Sequence, residues 1–206
     1  MIQIMEILYA LPAMLIAITI HEYSHGRMAD YLGDPTPRLS GRLSLNPIVH
    51  LDLMGSLVFI ITRRFGWAKP VPVSARYFKN PKRDMLLVGI AGPAANFATA
   101  LLVAIPVRFG LVPTNNDLFQ VVLLIVIINV VLGIFNLIPI PPLDGSHIIK
   151  AFLPPSAAPT LRWLEQNGII VLFLVMVFFP GFFSALISPI INLIVTLVLP
   201  GGAGWI

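Results

Sequence analysis

His21, Glu22 and His25 stand in the stretch His21-Glu22-Tyr23-Ser24-His25, an H-E-x-x-H arrangement at the end of a long apolar run. In a helix, residues four apart project from one face, one turn above the other, so two imidazoles at this spacing can share one metal ion. Glu22 lies about a quarter-turn around from His21, close enough to touch a water beside that ion without binding the ion itself. That placement suits a general base. From the chain's own His and Glu frequencies, the pattern arises by chance on the order of once per thousand such sequences.

A catalytic metal of the zinc type takes three protein ligands and keeps a fourth position for water, so two histidines leave one ligand to find. The chain has no cysteine, which removes disulfides and thiolate sites and leaves His, Asp and Glu. Asp144 is the best candidate, with Glu165, Asp52, His50 and His147 as rivals. It follows Asn136-Leu137-Ile138-Pro139-Ile140-Pro141-Pro142-Leu143, through which a regular helix cannot pass. Non-helical backbone at membrane depth is tolerated only where it is buried in protein or lines a wet cavity, so this stretch predicts a cavity with Asp144 projecting into it. His147 could contact substrate or donate to a developing oxyanion, although facing solvent is the plainer reading, and His50 reads as packing.

The elements that must position these residues belong to a membrane protein. The chain is 57% hydrophobic and 11% charged, with mean hydropathy +0.91, less than half the charge that wets a soluble domain. Placing charged groups near lipid costs on the order of 2.5–3.5 kcal/mol each on insertion scales, and a bound divalent cation is the simplest offset. A net charge of +4 could suggest nucleic acid, but ten of the thirteen basic residues fall between Arg27 and Arg83, which marks a cytoplasmic loop instead. The first ten residues hold no Lys or Arg, so the N-terminus reads as retained rather than as a signal peptide.

Apolar length predicts crossings at about Met5 to Tyr31, Met85 to Phe109 and Leu118 to Leu137, and one or two more in the tail from Gly168 to Leu199. Between the first two, Leu53 to Thr62 is short for a crossing and fits a re-entrant or interfacial piece closed by Arg63-Arg64. Arg38 to Leu45 alternates apolar and polar residues and predicts a short strand or hairpin, whose edge could hold an extended peptide. The expected fold is an all-α polytopic membrane protein with four to five transmembrane helices and a small β or re-entrant region between the first two. Asn96, in Gly92-Pro93-Ala94-Ala95-Asn96, puts an amide at depth and reads equally as helix-packing glue or as a contact to substrate.

Taken together, H-E-x-x-H in one apolar segment and N-x-x-P-x-x-P-L-D-G in another resemble the site-2 intramembrane metalloproteases. The likeness runs from His21 to Gly145 and includes Gly41-Arg42-Leu43-Ser44-Leu45-Asn46-Pro47 and Gly92-Pro93-Ala94-Ala95-Asn96-Phe97. The resemblance implies one zinc held by His21, His25 and Asp144, Glu22 as base, and cleavage of single-pass membrane proteins within or near the bilayer. The expected location is the cell or inner membrane, as a multi-pass protein, and the clustered basic residues put the site toward the cytoplasm and argue against a nucleic-acid partner. Residues 1–206 then form one metalloprotease domain, with a core over 5–150, C-terminal helices over 168–199, and no room for the PDZ domain many members carry. Asn136 and Asn96 are candidate substrate contacts. A membrane metal transporter and a non-catalytic pseudoprotease scaffold are the competing readings; Glu22 and the proline-broken loop suit hydrolysis better than either.

Overall fold

The computed structural model describes residues 2–62, 66–113 and 115–198. Among these, eight α-helices follow one another: α1 (Ile2–Tyr31), α2 (Thr36–Leu39), α3 (Leu53–Thr62), α4 (Pro81–Arg108), α5 (Asp117–Asn136), α6 (Gly145–Phe152), α7 (Ala158–Phe178) and α8 (Pro180–Val198). The long helices α1, α4 and α5 pack on one another and form the frame; α6 lies against α4, and α8 against α5 and α4.

Local sequence sets the helix ends. Asn80-Pro81 opens α4, the proline sitting where its missing N–H costs nothing, and the Asp84 carboxylate returns to the Asn80 N–H at 3.0 Å. Asn116 opens α5 by accepting the Phe119 N–H through its side chain at 2.9 Å. Pro180 separates α7 from α8, because the residue before a proline is pushed out of the helical region.

Ala100, Ala104 and Val107 of α4 meet Phe119, Leu123, Val126, Val130 and Ile134 of α5, and Ile187, Ile191 and Ile194 of α8 close that core. Alanines at Ala13, Ala17, Ala100 and Ala104 are all but inaccessible, which is how helices in lipid bring their backbones close. α4 and α5 are long and apolar enough to cross a membrane. Leu101, Leu102, Ile105, Ile169, Phe173 and Leu193 lie exposed on the outer faces, a surface suited to acyl chains rather than water.

The expected strand over Arg38 to Leu45 is not there. No strand forms among the described residues, and Thr36–Leu39 is a helical turn followed by Gly41 at φ 67°. Turn chemistry overrides the alternating pattern: Pro35 and Pro37 preset helical φ, and Asp34 Oδ1 accepts both the Thr36 N–H (2.9 Å) and its hydroxyl (2.5 Å). One antiparallel bridge joins Leu51 to Ala68, beside a bond from the Lys69 N–H to the His50 carbonyl at 2.9 Å. Over its 10 described residues, α3 rises about 15 Å, half of the ~30 Å hydrocarbon core. Arg63-Arg64 lies outside the described residues.

Asp34 is fully buried, and its other oxygen accepts the Ser74 N–H at 2.6 Å, tying the exit of α1 to the segment that covers Glu22. Each hydrogen bond to a charged group contributes about 1.5–3 kcal/mol, so Asp34→Ala is expected to lower stability in detergent by roughly 2–4 kcal/mol, read from a denaturation midpoint. A midpoint unchanged from wild type would contradict this.

Candidate metal centre

His21 and His25 occupy successive turns near the end of α1, and both are buried against α4. The chain bends back through the proline loop after α5 to bring in Asp144, 119 residues beyond His25. Within the loop, Ile140 N–H bonds the Ile138 carbonyl (2.8 Å) and Leu143 N–H the Ile140 carbonyl (2.9 Å), and the Pro141–Pro142 peptide is cis. Ile138 and Leu143 anchor it in an apolar cluster with Leu172, backed by Phe135, Ile140 and Phe183. Asp144 then stands at the head of α6 with its side chain 17% exposed.

The three side chains converge on one point. His25 Nε2 lies 3.0 Å from His21 Nε2, and Asp144 Oδ2 lies 3.1 Å from each. The far sides of the rings decide where the protons are. His25 Nδ1 donates to the Val88 carbonyl at 2.7 Å, and His21 Nδ1 donates to Asn96 Oδ1 at 2.6 Å. Each neutral imidazole has one N–H, so both Nε2 atoms present bare lone pairs to each other and to a carboxylate oxygen. Three acceptors at this separation repel unless a positive charge lies among them.

A divalent ion would supply that charge, and the donor set of two imidazole nitrogens and a carboxylate oxygen fits zinc. The three atoms lie 3.0–3.1 Å apart, so they could hold one zinc and leave its fourth position to water. They are the one group of three or more His, Asp or Glu side chains among the described residues that could hold a metal.

α4 makes room for this cluster. A Cβ on Gly92 would fall 2.7 Å from His25 Cε1 and 2.8 Å from His21 Cε1, nearer than carbon atoms pack. Asn96 follows one turn on. It is fully buried, and its Nδ2 donates to the Ala17 carbonyl (3.0 Å) and to Asn129 Oδ1 (2.8 Å) while Oδ1 takes His21. Both ends of the amide are thus engaged by protein groups.

Glu22 sits beside the cluster, with Oε2 accepting the Val71 N–H at 2.9 Å. Arg42, 5% exposed, donates through Nη2 to the Lys69 carbonyl in the same segment. Burial pushes its guanidinium below the ordinary value, and the charge of Glu22 opposes that shift. Asn136 is half-buried and donates back to the Leu132 carbonyl at 3.0 Å.

The rival ligands are engaged elsewhere. Glu165 pairs with Lys150 at 2.7 Å, Asp52 accepts the Gly55 N–H at 2.8 Å, and fully buried His50 donates to the Ser44 carbonyl at 2.7 Å. His147, on α6, is part-buried rather than solvent-facing; burial first and Lys150 second hold its imidazole below the ordinary value. Sequence reading missed Val71, Arg42 and Asn129. For Asn129 a signal existed, since a polar residue within the apolar run from Leu118 to Leu137 should face the bundle interior.

The chain matches the sequence profile described as Peptidase family M50 over residues 107–181. It is 37% identical over 191 residues to YwhC of Bacillus subtilis, covering 89% of this chain and 86% of that protein. Rip2 of Mycolicibacterium smegmatis is 27% identical over 170 residues, 79% of this chain and 64% of Rip2. The names of both assign them, by inference, to the zinc metalloproteases. The zinc metalloprotease MJ0392 of Methanocaldococcus jannaschii is 34% identical over 84 residues, 41% of this chain and 24% of that protein. The chain thus spans most of YwhC but slightly less than two thirds of Rip2. No solved structure matches it at comparable stringency.

The packing of Gly92 against both imidazoles generates a test. Overfilling a close-packed site costs about 1–3 kcal/mol, so Gly92→Ala is expected to weaken zinc binding roughly 10–100-fold, measured by competition with a chromophoric chelator. Unaltered affinity would show that the rings do not need this space.

Proposed function

This chain belongs to peptidase family M50, and on that footing we propose that it is a zinc-dependent endopeptidase that cuts single-pass membrane proteins within or near the bilayer. The observation that carries the reading is the convergence of two bare Nε2 atoms and a carboxylate oxygen at 3.0–3.1 Å, with the Glu22 carboxylate next to them. The names of YwhC, Rip2 and MJ0392 support zinc as the metal.

His21, His25 and Asp144 hold the ion. Zinc, when bound, lowers the pKa of water and polarises a carbonyl. Glu22 acts as general base, taking the proton of the attacking water on Oε1 and delivering it to the leaving amine; Oε2 stays fixed by the Val71 N–H. The bond broken is the scissile C–N, the bond formed is C–O, and no acyl-enzyme arises. A helical substrate must unwind to expose its carbonyl. The proline-broken loop from Leu137 to Leu143 and the segment from Lys69 to Val73 border the site and are where we place the extended chain. Asn136, at the mouth of the loop, is a candidate contact to its backbone.

In this reading α1, α4, α5 and one or both of α7 and α8 cross the membrane, giving four or five crossings in one domain over residues 1–206. α3 re-enters or lies at the interface. The basic residues between Arg27 and Arg83 put the site on the cytoplasmic side of a plasma or inner membrane.

The base separates chemistry from metal binding. Glu22→Gln is expected to keep stoichiometric zinc and to lose cleavage of a single-pass substrate by at least ~10²–10⁴-fold. Mass measurement of products, with and without a chelator, reads both the cut position and the metal requirement. Undiminished cleavage by the variant, or cleavage indifferent to the chelator, would overturn the mechanism.

A further inference from the structure

The hydrogen bonds behind His21 do not stop at Asn96. Asn129 of α5, also fully buried, accepts from Asn96 Nδ2 through Oδ1 at 2.8 Å and donates through its own Nδ2 to the Ile125 carbonyl at 2.8 Å. Three helices are joined in one directional chain, from the Ile125 carbonyl to Asn129, to Asn96, to His21 Nδ1.

Direction is what the chain encodes. A backbone carbonyl can only accept, so Ile125 obliges Asn129 to aim its NH2 at α5 and its oxygen at Asn96. That oxygen, together with the Ala17 carbonyl, obliges Asn96 to aim its NH2 away from His21 and its oxygen toward it. Flipping Asn96 would set Oδ1 against two acceptors at about 3 Å. It would also turn an amide N–H on His21 Nδ1, moving the ring proton to Nε2, where it would occupy the lone pair that faces His25 and Asp144.

We propose that Asn129 and Asn96 form an orientation relay that fixes the His21 tautomer, leaving its Nε2 lone pair free for the metal. The inference rests on the reading of His21 as a metal ligand and extends it. Asn96 and Asn129 are positioning residues: neither touches the ion or the substrate, and both act through His21. His25 lies outside the relay, because the Val88 carbonyl fixes its Nδ1 directly. A backbone acceptor needs no orientation; a side-chain amide does, and Asn129 supplies it.

The chain has four histidines, so the ring nitrogens of metal-free protein labelled with 15N-histidine can be assigned by single substitutions. In wild-type protein His21 Nδ1 is expected to keep its proton, whatever Nε2 takes up in the absence of the ion. In Asn96→Leu that proton should move to Nε2 or exchange between the two, with zinc affinity falling roughly 10–100-fold, the usual effect of removing a partner behind a ligand. Asn129→Leu should shift the same equilibrium, with a loss near the low end of that range. Asn129→Asp is the conservative rescue. Protonated in this apolar setting, its carboxyl accepts from Asn96 with one oxygen and donates to Ile125 with the other, and should restore both tautomer and affinity. His25 should keep its Nδ1 proton throughout, which separates loss of the relay from loss of the fold. If Asn96→Leu does not fold, the Asn129 pair decides. Wild-type tautomer and affinity in Asn129→Leu would overturn the relay while leaving the metal site standing; wild-type protein that binds no zinc would instead remove the reading beneath it.

Discussion

Three electron-pair donors held together in an apolar surrounding form the constraint on which the rest of this structure depends. His21 Nε2, His25 Nε2 and Asp144 Oδ2 approach to 3.0–3.1 Å with their available protons committed to the opposite faces of the rings. In water such a cluster would relax by protonation or separation. Here the rings are buried and their Nδ1 partners are fixed, so a cation attracted by all three would make the arrangement stable. The proline-broken loop, the small residues of α4 and the buried amides serve to hold these donors in a place where lipid-facing helices alone would not keep them.

α4 contributes little direct chemistry and much of the geometry. On one face within three turns it offers the Val88 carbonyl to His25, empty space at Gly92 to both rings, and the Asn96 amide to His21. The apolar seam farther along, from Ala100 to Val107 against α5, locks that face in register. On the other side of α1, the segment from Lys69 to Val73 closes over Glu22. It is pinned by the His50 carbonyl and Arg42 at Lys69 and by Asp34 at Ser74. A carboxylate held by one oxygen on a fixed N–H has its second oxygen aimed, which is what a base acting on a single water requires.

Much of this could be read from the residues. The spacing of His21 and His25 places both rings on one face in any helix, and Pro139, Pro141 and Pro142 announce a broken backbone that brings Asp144 in. The helices α4 and α5 follow from apolar length. The stretch from Arg38 to Leu45 was misleading because period-two alternation is a weak signal over eight residues, and Asp34, Pro35 and Pro37 supply turn chemistry that outweighs it. Asn96 shows the other limit. A sequence reveals that an amide lies at depth, but not whether it faces a substrate or a ligand's far side. That depends on the ring orientation of His21, which only the packed structure fixes. Val71 acts through its backbone, to which its side chain gives no clue.

We propose that His21, His25 and Asp144 hold one zinc with one position left open. X-ray absorption at the zinc edge tests it on the purified, zinc-loaded protein. Four nitrogen or oxygen neighbours at about 2.0 Å are expected, with outer scattering from two imidazole rings that falls to one ring in His21→Ala. Six oxygen neighbours without imidazole scattering, or a spectrum unchanged in His21→Ala, would place the metal elsewhere and contradict it.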